Sequence, residues 1–312
     1  MISEDKRAVI LMAFGGVDSL DDVPMFLENI AGGRKPSLEA VEEAKERYRL
    51  IGGSSPLKKI TLRQAEALQL RLNERAERTY KVYVGMRYWH PHIKEVLCQI
   101  HKEGSSRVTA VIMAPQRSGY TVRGYQAELD SGVTELRPGL EVTLAMDWHI
   151  HHSYLEAVAD GIIEGLQSFD SAEETSVLFT AHSLPLRFLE PEDPYTRQME
   201  ESIAGIVGIT GPLNWELAYQ SKGRLPGDWL EPDASAVIER LPKQGIKNVL
   251  VVPLGFVADH VETLYDIDIV YKGEAESIGL GFKRTPSLND SPKFIEALAD
   301  VVLGEHIGDS NQ

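Results

Sequence analysis

Cysteine is almost missing from this chain: Cys98 is the only one in 312 residues. A disulfide framework, a zinc ribbon and a cysteine-ligated iron–sulfur cluster are therefore excluded within one chain, because each needs several thiolates. Basic residues are also scarce. There are 32 Lys and Arg against 47 Asp and Glu, a formal charge of -15. That balance argues against nucleic-acid binding, which needs a basic footprint, and suits a soluble protein that attracts cations. Long apolar runs are lacking as well. The run Ala8–Phe14 is too short for the core of a signal peptide or for the roughly 20 residues that span a bilayer. A cytoplasmic chain is expected, and peripheral contact with a membrane surface is compatible with it. Familiar signatures are absent: no G-x-G-x-x-G, no P-loop, no G-x-S-x-G and no H-E-x-x-H.

What is present is a globular composition, 43% apolar and 25% charged, long enough for one large domain or two ordinary ones. Short apolar runs predict strands at Ala8–Phe14, Lys81–Met86, Arg107–Met113, Glu141–Met146, Ser176–Thr180, Trp215–Tyr219, Lys247–Val252 and Ile278–Lys283. Helical spacing separates them, as in Ser37-capped Glu39–Tyr48, Thr61–Ala76, Ser153–Gln167 and Pro292–Leu303. The layout predicts an α/β protein of two similar domains, residues 1–150 and 151–312, each with a four-stranded, mostly parallel sheet flanked by helices. In such sheets ligands bind beyond the carboxyl ends of the strands. Those ends carry Phe14, Arg87-Tyr88, Gln116-Arg117 and Trp148-His149 in the first half, and His182, Gln220-Ser221 and an acidic run in the second. A cleft between facing strand ends would suit a flat, apolar ligand with acid side groups, plus a cation.

The acidic run is Asp259, Glu262, Asp266 and Asp268, with His260 among them. If a helix starts near Ala258, the first three share one face. Two readings stand side by side: carboxylates favouring a helix N-terminus, or a path for a hard cation and protons. His182 follows a buried strand, and its imidazole can act near neutral pH as base or metal ligand. The triplet His149, His151 and His152 is expected to be an exposed domain junction rather than a metal site, on the reading that no carboxylate or cysteine accompanies it. Arg187–Arg197 has the look of a mobile polar stretch.

Three segments together resemble the ferrochelatases: Phe179-Thr-Ala-His-Ser-Leu-Pro185; Tyr219-Gln-Ser221 with Trp229-Leu-Glu-Pro232; and Pro253-Leu-Gly-Phe-Val-Ala-Asp-His-Val-Glu-Thr-Leu-Tyr-Asp-Ile-Asp268. The first half agrees through Phe14-Gly-Gly16, Gly52-Gly-Ser-Ser-Pro-Leu57, Gly85-Met-Arg-Tyr88 and Ala114-Pro-Gln116, so the resemblance covers nearly the whole chain. It implies two Rossmann-like domains around a porphyrin cleft, and insertion of Fe2+ into a free-base porphyrin with loss of two protons in haem synthesis. The matching positions imply His182 and Glu262 as the catalytic and metal-binding pair, with Asp259 and Asp266 as an acidic relay. Arg47, Tyr48, Ser55, Arg87 and Tyr125 are candidates for the porphyrin's acid groups, with Phe14 and Tyr88 on the cleft wall. The expected partners are porphyrin and ferrous iron as substrates, with no resident cofactor, and a monomer is expected. The chain resembles the short, cluster-free type found in Gram-positive bacteria. Phe14 stands where that type often has a tyrosine, and Ala31 where it often has an arginine, so the substrate stays between coproporphyrin III and protoporphyrin IX. The alternatives are a chelatase for another tetrapyrrole and metal, or a haem or metal carrier without turnover.

Overall fold

Small and branched apolar residues build the first strand, β1 (Arg7–Ala13), and both of its faces are buried. Val9, Leu11 and Ala13 enter one core cluster, and Ala8, Ile10 and Met12 enter another. This is the period-2 alternation of a strand covered by helices on both sides. The structure is a computed structural model that describes residues 7–136, 139–223 and 225–304. The N-terminal residues before Arg7 and the polar tail beyond Gly304 lie outside the described residues.

The strands that follow are β2 (Tyr80–Met86), β3 (Arg107–Ile112), β4 (Glu141–Ala145), β5 (Thr175–His182), β6 (Trp215–Gln220), β7 (Asn248–Val252) and β8 (Gly281–Arg284). The helices are α1 (Val23–Ile30), α2 (Leu38–Leu50), α3 (Leu57–Arg75), α4 (Ile93–Lys102) and α5 (Gly119–Thr134) in the first half. In the second half they are α6 (His152–Gln167), α7 (Tyr195–Thr210), α8 (Ala234–Arg240), α9 (Lys272–Ser277) and α10 (Pro292–Leu303). Two four-stranded sheets result, ordered β2-β1-β3-β4 and β6-β5-β7-β8, and every ladder is parallel. The expected paired α/β layout is therefore present. Its weakest boundary is the last strand, where Ile278 to Leu280 form the turn before β8. In both sheets the order reverses beside the first strand, which places a ligand crevice just past Phe14 in one and His182 in the other.

One core cluster runs between the sheets. It contains Leu11 of β1, Leu68 and Leu72 of α3, Tyr154 and Ile162 of α6, Leu250 of β7, and Phe294 and Leu298 of α10. The last helix of the second half thus packs on α3 of the first, and Arg71 and Arg75 bind Glu296 across that seam. Phe294 is fully buried, so Phe294→Ala is expected to cost about 3–5 kcal/mol of stability through lost contacts and a residual cavity. Denaturant unfolding measures this, and an unchanged midpoint would contradict it.

Two local expectations are corrected. His149 and His151 are buried, not exposed, because α7 and α10 cover them. Carboxylates do accompany the triplet: Glu201 lies 2.7 Å from His149 Nε2 and Asp300 3.3 Å from His151 Nε2, while His152, exposed as expected, has Glu156 one turn on at 3.5 Å. Of the stretch Arg187–Arg197, expected to be mobile, the part up to Asp193 is pinned and Tyr195–Arg197 already belongs to α7. Phe188 stacks on Tyr120 at 4.9 Å, Glu190 accepts from Arg123 at 2.6 Å, and Asp193 accepts from the Gly119 N–H at 2.8 Å.

Candidate active site

His182 ends β5, in register with Gln220 of β6. Its carbonyl accepts from Tyr195 Oη at 3.1 Å, which fixes the backbone where the strand stops. The chain leaving β7 then crosses close over β5. The Gly255 N–H donates to the Thr180 carbonyl at 3.1 Å, and a Cβ on Gly255 would sit 3.1 Å from Ala181 Cα, so a side chain there would push this loop away. That approach brings Glu262 Oε2 to 2.9 Å from His182 Nδ1. Gln220 Nε2 holds the Glu262 carbonyl at 3.1 Å. The His182 side chain remains 38% exposed and that of Glu262 28%, so a ligand can reach the pair.

The electrostatics follow from burial and proximity. Burial opposes charge on His182, but the Glu262 carboxylate more than offsets it and the imidazole pKa stands above its ordinary value. Burial likewise pushes Glu262 up, yet His182 and then His260 hold it well below the usual carboxylate range. Asp266 goes the other way. Burial and the Glu262 charge raise it to about 6. Ser221, held at φ 58°, donates to Asp266 Oδ2 at 2.5 Å. The site therefore holds an ion pair with a second carboxyl beside it that retains a proton far more readily than an ordinary aspartate.

The acidic run does not form one ladder. Val261 starts the helical turns and Glu262–Tyr271 is a π-helix, so Asp259 stands ahead of it. Asp259 is occupied by Arg284, Ser287 and Asn289. Asp268 is forked by the same Arg284, at 2.7 and 2.8 Å. Only Glu262 and Asp266 belong with His182. His260 is lowered by burial, with its Nδ1 3.1 Å from the Ala258 carbonyl and its ring 4.7 Å from Phe256.

The residues expected on the porphyrin wall fall into two groups. Arg47 lies 5.4 Å over the Tyr265 ring of the π-helix, and its charge is felt at Asp266. Tyr48 beside it is buried, its phenol raised by burial and then by the Glu262 charge. Ser55 is buried as well, against Gly16. The second group is Phe14, Arg87, Tyr88 and Tyr125. Phe14 is exposed and lies 4.6 Å from the Tyr88 ring. The Arg87 guanidinium sits between the rings of Tyr88 (4.8 Å) and Tyr125 (5.4 Å). Tyr125 is buried, so it supports Arg87 from behind. Gly124 makes this seat: a Cβ there would lie 2.0 Å from Arg87 Nη2.

Sequence reasoning did not single out Ser221, Tyr265, Gly124 or Arg284. Ser221 and Tyr265 had a signal, their places inside recognised segments, Ser221 also at a strand end. The others are assigned by contacts distant in sequence. Two small pockets lie by Tyr154 and Phe256 and by Gln116 and Asp147; neither is lined by His182 or Glu262. Among the described residues no cluster of His, Cys, Asp and Glu holds metal-site geometry, and no helix is long and apolar enough to cross a membrane.

A family model described as Ferrochelatase matches residues 6–306. A ferrochelatase of Herpetosiphon aurantiacus is 40% identical over 302 residues, covering 96% of this chain and 99% of that protein. A coproporphyrin III ferrochelatase of Oceanobacillus iheyensis is 34% identical, covering 97% of each. Among solved structures, SirB from Bacillus subtilis with Fe3+ covers 98% of each chain with a TM-score of 0.58 and 12% identity, a likeness of fold alone.

Proposed function

The chain belongs to the ferrochelatase family, and from that premise we propose that it inserts Fe2+ into a free-base porphyrin with release of two protons, as a late step of haem synthesis. The porphyrin is one with acid side groups, coproporphyrin III or protoporphyrin IX. The observation that carries this reading is the accessible His182–Glu262 pair, 2.9 Å apart at the strand-order reversal of the second sheet.

The chemistry needs two things, and the residues present supply both. Two pyrrole N–H protons must leave, so acceptors must face the macrocycle. His182 Nε2 has no hydrogen-bond partner among the described residues, which leaves it free to take one when the ring is neutral. Fe2+ must shed water, and imidazole nitrogen with carboxylate oxygen are suitable transient ligands. Asp266, with its affinity for protons near neutrality, serves as the outer relay through Ser221. Asp259 is here an anchor of the loop rather than a relay. In this reading iron is substrate, and no resident cofactor takes part. Anaerobic mixing of the protein with Fe2+ and each porphyrin, followed by loss of free-base absorbance, tests it. Absence of insertion into both rings would reject the proposal.

Arg87 has the form of a carboxylate clamp: a half-buried guanidinium with its faces covered by tyrosine rings and no carboxylate partner among the described residues. Gly124→Ala is expected to displace it. Losing a charge-assisted bond of about 1.5–3 kcal/mol would raise KM for the porphyrin about 10- to 100-fold, with kcat little changed. The melting temperature should hold, because alanine is the better helix former. A porphyrin with esterified acid groups should show no such rise; an equal rise would remove Arg87 from substrate binding.

A further inference from the structure

Arg284 ends β8, the edge strand of the second sheet, with only 12% of its side chain exposed. Its Nε and Nη2 fork onto Asp268 at 2.7 and 2.8 Å. The remaining nitrogen, Nη1, donates to Asp259 Oδ1 at 3.2 Å, to the Thr285 carbonyl at 3.2 Å and to Ser287 Oγ at 3.3 Å. Asp259 also accepts from Ser287 Oγ at 2.7 Å and Asn289 Nδ2 at 3.0 Å. Asn289 in turn accepts at its carbonyl from Gln64 Nε2 of α3, at 2.8 Å. One largely buried cation therefore grips two carboxylates that flank Glu262 on either side, and the grip is tied back to the first half of the molecule.

Asp259 stands ahead of the helical turns and Asp268 within them, so where Asp268 lies relative to Asp259 depends on the pitch of the turns between them. Those turns are a π-helix over Glu262–Tyr271, a wider coil that is rare and needs support. Two carboxylates brought together and partly buried repel unless a cation satisfies both. Arginine alone among side chains offers a planar fork plus a third edge for this.

We infer that Arg284 is a positioning residue for metal insertion. By holding Asp259 and Asp268 together it keeps Glu262–Tyr271 in its π form, and so keeps Glu262 within hydrogen-bond reach of His182. Arg284 touches neither ring nor metal; it acts through Glu262. The inference rests on the reaction proposed above.

The test compares four variants for kcat, porphyrin affinity (by fluorescence quenching) and melting temperature. Arg284→Gln is expected to lower kcat about 100-fold, the scale of an ångström-level misplacement, with porphyrin affinity within a factor of two. Its melting temperature falls because two carboxylates lose their cation. Arg284→Lys keeps the charge without the fork and stays about 10-fold down in kcat. The combination Arg284→Gln with Asp268→Asn removes the surplus charge, so stability returns while kcat does not. Arg240→Gln breaks the Arg240–Glu216 pair in the same domain and leaves kcat unchanged.

A role confined to charge balance predicts that kcat returns together with stability in the double variant, and that result would overturn the inference. So would a wild-type kcat in Arg284→Gln. If Arg284→Gln does not fold, the double variant and Arg284→Lys decide the matter alone. Metal insertion by the unmutated protein is read first: its failure rejects the proposed reaction, whereas success there with active variants rejects only the role of Arg284.

Discussion

His182→Ala is expected to lower kcat for metal insertion by about a thousandfold, within the range seen when a positioned proton acceptor is removed. Porphyrin affinity should stay within about threefold, because the groups proposed to hold the macrocycle's acid groups, Arg87 and Arg47, are left in place by the change. The size of the loss follows from position. His182 stands at the strand-order reversal, its backbone is pinned by Tyr195, and its Nδ1 is engaged by Glu262. That leaves Nε2 as the free nitrogen of the pair. Alanine removes both the acceptor and the cationic partner, and leaves Glu262 an anion beside Asp266, with only the His260 ring and the Ser221 hydroxyl remaining of the groups that now depress it. Steady-state kinetics with fluorescence titration of the porphyrin separates the two effects. A kcat near that of the unmutated protein would remove His182 from the mechanism.

Glu262→Gln should have the next largest effect, about 100-fold or more in kcat, with a diagnostic change in pH dependence. The sign follows from the pair. Burial alone would lower the His182 pKa, and Glu262 raises it above the ordinary value. The imidazole therefore stays charged until pH climbs through that raised value, and insertion that needs the neutral ring sets in only above it. With glutamine at 262 burial is unopposed by this charge, so the rise of activity moves to lower pH while its plateau falls. Stability shifts in the same sense. The ion pair contributes stability that is fully present below the ordinary imidazole pKa and is lost as pH rises through the raised one. A pH–rate profile of kcat/KM for the two proteins measures this, and an onset that stays put or moves upward would contradict the assignment.

The parts of the molecule legible in sequence were those governed by local pattern. Strands such as Ala8–Met12 and Val249–Val252 are buried on both faces, so their unbroken apolar runs stand out. Strand ends then locate His182 and the start of the acidic run. The features missed depend on long-range contacts. His149 and His151 are buried by Glu201 and Asp300, which belong to α7 and α10. The polar stretch after Leu186 is fastened to α5 by Tyr120 and Arg123, residues far back in the chain. Arg284 looks like a solvated charge at the end of a short strand until Asp259 and Asp268 are folded around it. The spacing of Asp259, Glu262 and Asp266 predicts an ordinary helix, because ten residues of π coil are too few to show a separate periodicity, and that α spacing aligns Asp259 with two residues from which the structure separates it.

In the proposed reaction this chain exchanges two porphyrin protons for one metal ion, repeatedly, at His182 and Glu262. Stopped-flow mixing of the enzyme–porphyrin complex with anaerobic Fe2+ in the presence of a pH indicator counts those protons against metalloporphyrin formed. Two protons per metalloporphyrin are expected, continuing through many turnovers, with loss of the steady phase in Glu262→Gln. A single equivalent of product that stays bound, with no further proton release, would contradict it.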